Sequence, residues 1–178
     1  MTIETKWYVI TAGPCAGKSP IIEYLSFLGY QTCPSLSRVR INVEISKGGT
    51  IEEIRSNEVA FQKRVFEMRF NLENRTPVDR LMIFERGMPD CIAYLRHCGQ
   101  NTVPIVDACK KRTYKGVFLL GQLPYKKDYA RVESAKDAAI LHKLIEEAYS
   151  DLGYNVIEIP VRPIDERAMM ILNKIKTL

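Results

Sequence analysis

A four-residue apolar run, Trp7-Tyr8-Val9-Ile10, leads within three residues into Gly13-Pro14-Cys15-Ala16-Gly17-Lys18-Ser19. The stretch that follows, Ile21-Ile22-x-x-Leu25-x-x-Leu28, has helical spacing. A buried strand that passes through a glycine-bearing turn into a helix narrows the possible folds sharply. It aims successive backbone N–H groups at one point, beside the positive end of the helix dipole, and so builds an anion site. In the pattern G-x-x-x-x-G-K-[ST] the lysine reaches the β/γ-phosphates of a nucleotide and the hydroxyl ligates Mg²⁺. Lys18 and Ser19 hold those places here, so Gly13, Pro14, Cys15, Ala16, Gly17, Lys18, Ser19 and Pro20 are the candidate nucleotide-binding residues.

Two positions depart from the pattern. Ala12 stands where the first glycine is usual, and a methyl group is tolerated there as long as φ stays negative. Pro20 has no N–H to offer to an α-phosphate, and it disfavours helical backbone at Ser19. One lost charge-assisted hydrogen bond is worth about 1.5–3 kcal/mol. Micromolar binding corresponds to roughly 8 kcal/mol. Pro20 is therefore expected to weaken nucleotide binding without abolishing it.

The rest of the chain alternates strand and helix, which predicts an α/β fold of three layers around a five-stranded, mostly parallel sheet. Strands are expected near 6–11, 31–33, 81–84, 117–120 and 156–159. Helices are expected near 18–27, 36–46, 89–97, 104–110, 134–152 and 164–175, with a long amphipathic segment from Val59 to Leu72. Thr50-x-x-Glu53 and Ser134-x-x-Asp137 have the spacing of capping boxes. Neither a repeat nor a linker interrupts the pattern, so residues 1–178 are expected to form one domain.

The chain has 178 residues, 46% of them hydrophobic, enough for one substantial core. The longest apolar runs fall far short of a membrane span, and the first residues do not begin a signal peptide, which predicts a cytoplasmic protein. The net charge of +5 suits polyanionic nucleotides, but scattered basic residues do not indicate a nucleic-acid groove. Five cysteines without C-x-x-C pairing are expected to be reduced thiols. His97 and His142 lie in helical, charge-rich surroundings and read as surface residues.

In open α/β sheets, ligands gather at the carboxyl ends of the strands. Glu85, ending the third strand, could hold Mg²⁺ or activate a nucleophile. Arg86 could pair with a substrate anion, and Asp90 lies one helical turn onward. After the fourth strand, residues 122–134 form a charged segment, Tyr125 to Glu133 within it, that could close as a lid. Arg131 would there neutralise charge on a transferring phosphoryl group. Arg162, after the fifth strand, is placed to flank a nucleotide base.

These residues resemble the small P-loop AAA-type ATPase/kinase domains that include the ribosylnicotinamide kinase domain of bacterial NAD regulators. That family's pattern is Thr-Gly-Gly-Pro-Gly-x-Gly-Lys-Thr-Thr after the first strand, Asp-Arg-Gly-x-x-Asp after the third, and Tyr-x-x-Asp-x-x-Arg-x-Glu in the lid. Gly13, Pro14, Gly17, Lys18 and Ser19 match the first; Arg86, Gly87 and Asp90 the second; Tyr125, Asp128, Arg131 and Glu133 the third. The departures are Ala12 and Cys15 for glycine, Pro20 for threonine, Glu85 for aspartate, and Ser35 for a glutamate after the second strand. Losing a carboxylate that serves as proton acceptor typically lowers a rate about 100- to 10,000-fold.

The resemblance implies a nucleotide-kinase-like P-loop fold that uses ATP and Mg²⁺. On that basis Lys18, Glu85, Arg86, Asp90 and Arg131 are the candidate catalytic residues, with Ser19 and Glu85 at the metal. The expected reaction is transfer of the γ-phosphoryl group to a nucleoside-like small-molecule acceptor or to water. The helical region from Leu36 to Glu73 would wall the acceptor pocket. The rival expectation is a nucleotide-binding regulatory protein whose catalysis has weakened, which Ala12, Pro20 and Ser35 favour. An ATPase dependent on nucleic acid is a third reading, supported only by the mild positive charge. The oligomeric state is not readable from these residues.

Overall fold

A computed structural model of the protein describes residues 2–126, 128–130 and 132–178. Strand β1 (Ile3–Glu4) precedes β2 (Trp7–Thr11), all of whose residues are buried. A continuous apolar run of this kind is what a strand covered by helices on both faces requires. Helix α1 (Lys18–Phe27) begins after Gly17 and includes Ser19 and Pro20 in its first turn. Proline was expected to pull Ser19 out of helical backbone, and it does not. First-turn N–H groups have no intrahelical acceptor, so the ring there removes no helical hydrogen bond.

Next come β3 (Thr32–Cys33), α2 (Leu36–Ser46), the single turn α3 (Ile51–Ile54) and α4 (Glu58–Arg75). The Thr50–Glu53 capping box forms as its spacing suggests. Strand β4 (Met82–Glu85) then feeds α5 (Met88–His97), which is followed by α6 (Val103–Cys109) and β5 (Arg112–Thr113). The last elements are β6 (Gly116–Leu120), α7 (Ala135–Ser150) with its Ser134–Asp137 capping box, β7 (Val156–Ile159) and α8 (Ile164–Thr177).

The main sheet has the order β3-β4-β2-β6-β7, with every pairing parallel. Ile10 is opposite Glu85 and Thr11 opposite Leu119, so the carboxyl ends of β4, β2 and β6 lie side by side. A second sheet, β1 with β5, was not anticipated. Two-residue strands carry no periodicity by which a sequence could announce them.

The core centres on β2. The Trp7 ring meets Phe84 edge-on at 5.5 Å, and its Nε1 donates to the carbonyl of Pro77 at 3.0 Å. Tyr8 stacks on Phe118. Helices α4, α5 and α7 pack in a row, and α1 packs on α8. Among the described residues no helix is long and apolar enough to cross a membrane.

Candidate active site

The turn between β2 and α1 is a cradle with two residues in left-handed backbone, Cys15 (φ 66°) and Gly17 (φ 75°). Gly17 adopts this conformation freely, whereas Cys15 does so at a cost of about 1–2 kcal/mol. The neighbouring segment supports it. Cys15 accepts from Leu123 N at 3.2 Å, and its thiol exchanges 3.4 Å contacts with the N–H and carbonyl of Lys126. Ala12 has negative φ and is fully buried, as its methyl group requires.

Lys18 is buried and turns its amine back into the cradle, donating to the carbonyls of Ala12 (3.1 Å) and Gly13 (2.7 Å). Gly13 N donates to His142 Nδ1 at 3.1 Å. This corrects the expectation that His142 lies on the surface: it is half-buried beneath the loop. Burial, reinforced by the positive charge of Lys18, lowers its pKa, which keeps Nδ1 an acceptor. A side chain at position 13 would strike the carbonyl of Ala138 at 2.6 Å, so only glycine brings the loop this close to α7. From α8, Arg167 donates to the carbonyl of Ala16 at 2.9 Å.

At the end of β4, Glu85 is 3% exposed, and its Oε1 accepts from Ser19 Oγ at 3.1 Å. Its Oε2 is buried without a hydrogen-bond partner. A buried carboxylate oxygen left open is costly unless a cation or donor completes it. Ser19 and Glu85 therefore fit the two protein oxygens of a Mg²⁺ site, since Mg²⁺ commonly takes one or two protein ligands and fills the rest with phosphates and water. Among the described residues no cluster of three or more His, Cys, Asp or Glu is suited to a metal. Arg69 on α4, fully sequestered, donates to the Glu85 carbonyl at 2.8 Å and lies over the Phe84 ring.

Arg86 is the second non-glycine residue in left-handed backbone (φ 66°). Its guanidinium donates to Asp90 Oδ1 at 2.6 Å and to Tyr94 OH at 3.0 Å. Burial disfavours the charged guanidinium, but Tyr94, Asp90 and Glu85 outweigh it and raise its pKa. Asp90 itself is 2% exposed and accepts four hydrogen bonds. Thr11 Oγ1 (2.6 Å) and Arg86 reach Oδ1, while Gly87 N (2.9 Å) and Tyr149 OH (2.7 Å) reach Oδ2. With every lone-pair site engaged, its role is to hold Arg86 and the start of α5. Asp90, a candidate catalytic residue by sequence, thus has its oxygens engaged by the protein's own donors.

A cavity of about 900 Å³ opens in front of these groups, bounded by the loop from Pro14 to Pro20, by Glu85 and Arg86, and by α2. Ser35 and Ser37 line it with their hydroxyl groups 2.9 Å apart. The segment after β6 bridges its mouth. Asp128 pairs with Arg38 (2.6 Å), Tyr129 OH donates to Asn42 (2.8 Å), and Glu133 pairs with Arg55 (2.9 Å). The expectation for Arg131 in this segment lies outside the described residues. Arg162 is exposed and does not line the cavity, so the arginine that meets the nucleotide loop from this end of the chain is Arg167.

His142, Arg69 and Arg167 escaped the sequence reading, yet each occupies an apolar stripe. His142 falls with Ala138, Leu141 and Ile145, and Arg167 with Ala168, Ile171 and Leu172. A polar residue on the buried face of a helix must find a partner, and that was the available signal.

Residues 7–167 match the model of a family described as AAA domain. No curated protein matches the chain. Among solved structures it is similar to a deoxyadenosine kinase from M. mycoides with the products dCMP and a flexible dCDP bound, at TM-score 0.70 and 15% identity, covering 97% of this chain and 100% of that one. It is also similar to the NadR protein in complex with NR, at TM-score 0.72 and 9% identity, covering 97% of this chain but only 50% of that one. A shikimate kinase from Aquifex aeolicus gives TM-score 0.57 at 16% identity, covering 96% of both chains. These likenesses carry the P-loop kinase fold, and the match over residues 7–167 places the chain in the AAA-domain family.

Proposed function

We propose that this protein binds ATP·Mg²⁺ in the 12–20 loop and transfers its γ-phosphoryl group to a small, nucleoside-like acceptor in the adjoining cavity. The observation that carries the proposal is the Ser19–Glu85 pair, a hydroxyl and a buried carboxylate with one open oxygen, set against a glycine-bearing loop at a helix N-terminus. Ser19 and Glu85 would hold Mg²⁺, which when bound would offset negative charge on the group being transferred.

The chain's own residues supply the remainder. The backbone N–H groups of the loop and the α1 terminus receive the phosphates, and Lys18 swings from its loop carbonyls to the β/γ oxygens. Arg86, fixed by Asp90 and Tyr94, faces the cavity where negative charge develops. The segment tied down by Asp128–Arg38 and Glu133–Arg55 covers the mouth and keeps water out. Phosphoryl transfer needs chiefly positioning and charge stabilisation, and this arrangement supplies both. Five free thiols accord with a reducing, cytoplasmic location.

Calorimetric titration with ATP, with and without Mg²⁺, followed by assay of ADP release over a panel of acceptors, tests the reading. Mg²⁺-dependent binding and acceptor-dependent turnover are expected, both lost in Lys18→Ala. A second reading, a nucleotide-binding regulator, is favoured by Ser35 and Pro20 in the cavity wall. Tight Mg²⁺-dependent binding without turnover would select it.

A further inference from the structure

We propose that the acceptor presents an oxygen that is already ionised, that of a phosphomonoester, so that transfer needs no general base. The proposal rests on the kinase reading above and names its substrate class.

A hydroxyl acceptor must lose a proton as it attacks. The described carboxylates around the cavity and its side pocket are Glu23, Glu85, Asp90, Asp128 and Glu133. Asp90 is saturated by four donors. Glu133 is held by Arg55, and Asp128 by Arg38 and the N–H of Ala130. Glu23 is exposed on α1. Glu85 accepts from Ser19, and its open oxygen is the one that suits a cation. Once the open oxygen of Glu85 is taken by a cation, every described carboxylate here is engaged by donors or exposed.

The same region is rich in donors. A side pocket of about 40 Å³ shares Ser35, Ser37, Arg55, Arg86, Tyr94 and Glu133 with the main cavity. Each guanidinium has five N–H donors. Arg86 directs one to Asp90 and one to Tyr94; Arg55 directs its Nε and Nη2 to Glu58 and Glu133. These carboxylates hold the two forks in place without occupying every donor. Two guanidinium forks and two hydroxyl groups suit the three peripheral oxygens of a phosphomonoester better than the two of a carboxylate.

The step then balances without proton transfer. An oxygen of the acceptor dianion bonds to the γ-phosphorus, the bond to the β,γ-bridging oxygen breaks, and ADP leaves with that electron pair. Acceptor dianion and ATP tetra-anion become two trianions. A hydroxyl acceptor would instead release one proton per turnover.

The test uses the full chain, with Mg·ATP binding confirmed first by calorimetry. ADP formation and proton release in weak buffer at about pH 8 are then followed with AMP, CMP, GMP, UMP and ribose 5-phosphate, and with adenosine, cytidine, guanosine, uridine and ribose. The expected result is a kcat/KM at least about 100-fold higher for one or more of the phosphomonoesters, without proton release, in keeping with the rate a missing base forfeits on a hydroxyl. Ser35→Glu, which returns a carboxylate to the cavity wall, should lower phosphomonoester turnover and raise nucleoside turnover. Neutral acceptors reacting as fast, with one proton released, would overturn the proposal while leaving the kinase reading standing. Bound Mg·ATP with neither class reacting would overturn it too, and would select the regulator reading over the kinase one. Absence of Mg·ATP binding would instead defeat the kinase reading itself.

Discussion

Two carboxylates flank Arg86 and are almost equally buried, but their surroundings differ. Asp90, in the first turn of α5, is met by Thr11, Arg86, Gly87 and Tyr149, four donors from three separate parts of the chain. Glu85, at the tip of β4, has Ser19 on one oxygen and no hydrogen-bond partner on the other. The first arrangement is complete and can only hold the structure in place. The second is incomplete, and because Glu85 lines the cavity its open oxygen is suited to a ligand, whereas the unpartnered Oε2 of Glu73 lies away from it. Burial alone would have ranked them alike; the number of donors separates scaffold from site.

The largest effect expected from this contrast is at Asp90. Asp90→Asn keeps the shape but loses the charge beside Arg86 and puts an amide where two donors now converge. Breaking a buried ion pair in this way costs about 3–5 kcal/mol. That corresponds to roughly 10 °C in Tm for a chain of this size, readable by thermal and urea unfolding. If Asp90→Asn unfolds like the wild type, the α5 network is not the scaffold described.

A smaller effect, read through pH, belongs to Glu73 behind the same network. Its Oε1 accepts from Tyr114 OH (2.8 Å), and Tyr114 in turn accepts from Met88 N. Burial, only partly offset by Arg69, Tyr114 and Arg112, lifts its pKa to about 7. A raised pKa means that the folded state binds the proton more tightly than the unfolded chain does. The contribution is fully present below about pH 4.5 and is lost as pH rises through about 7, a swing on the order of 3 kcal/mol. Glu73→Gln should flatten the wild type's stability loss between pH 5 and 8. An unchanged slope in the variant would place the titration elsewhere.

The smallest effect concerns the loop. Pro20 lies in the first turn of α1 and lines the cavity. Pro20→Thr restores one N–H and should tighten ATP binding about tenfold, near the lower end of one charge-assisted hydrogen bond. Equal affinities by calorimetry would show that position 20 does not face the nucleotide.

The same contrast explains what the sequence could reveal. The parallel sheet and the loop were legible because strand, turn and helix signals fall within some twenty consecutive residues. The short β1–β5 sheet was not, since its strands are shorter than any period. Glu85 and Asp90 both read as candidate site residues, but their unlike states were hidden. Two of the four donors that fill Asp90 come from Thr11 and Tyr149, far away in the chain, and nothing local to position 90 records them. His142 and Arg167 were missed for a related reason: on an apolar stripe, a polar residue is meaningful only once its partner is known.

The central claim is that the open oxygen of Glu85 and the hydroxyl of Ser19 receive a divalent cation together with a nucleotide. The direct measurement is calorimetric titration of ATP into wild type and Glu85→Gln, with and without Mg²⁺, with urea unfolding run in parallel. The account predicts that Mg²⁺ strengthens ATP binding at least about tenfold in the wild type, an effect the variant loses. It also predicts that Glu85→Gln unfolds within about 1 kcal/mol of the wild type, because the amide replaces a carboxylate that lacks a full set of donors. Equal dependence on Mg²⁺ in both proteins would contradict it.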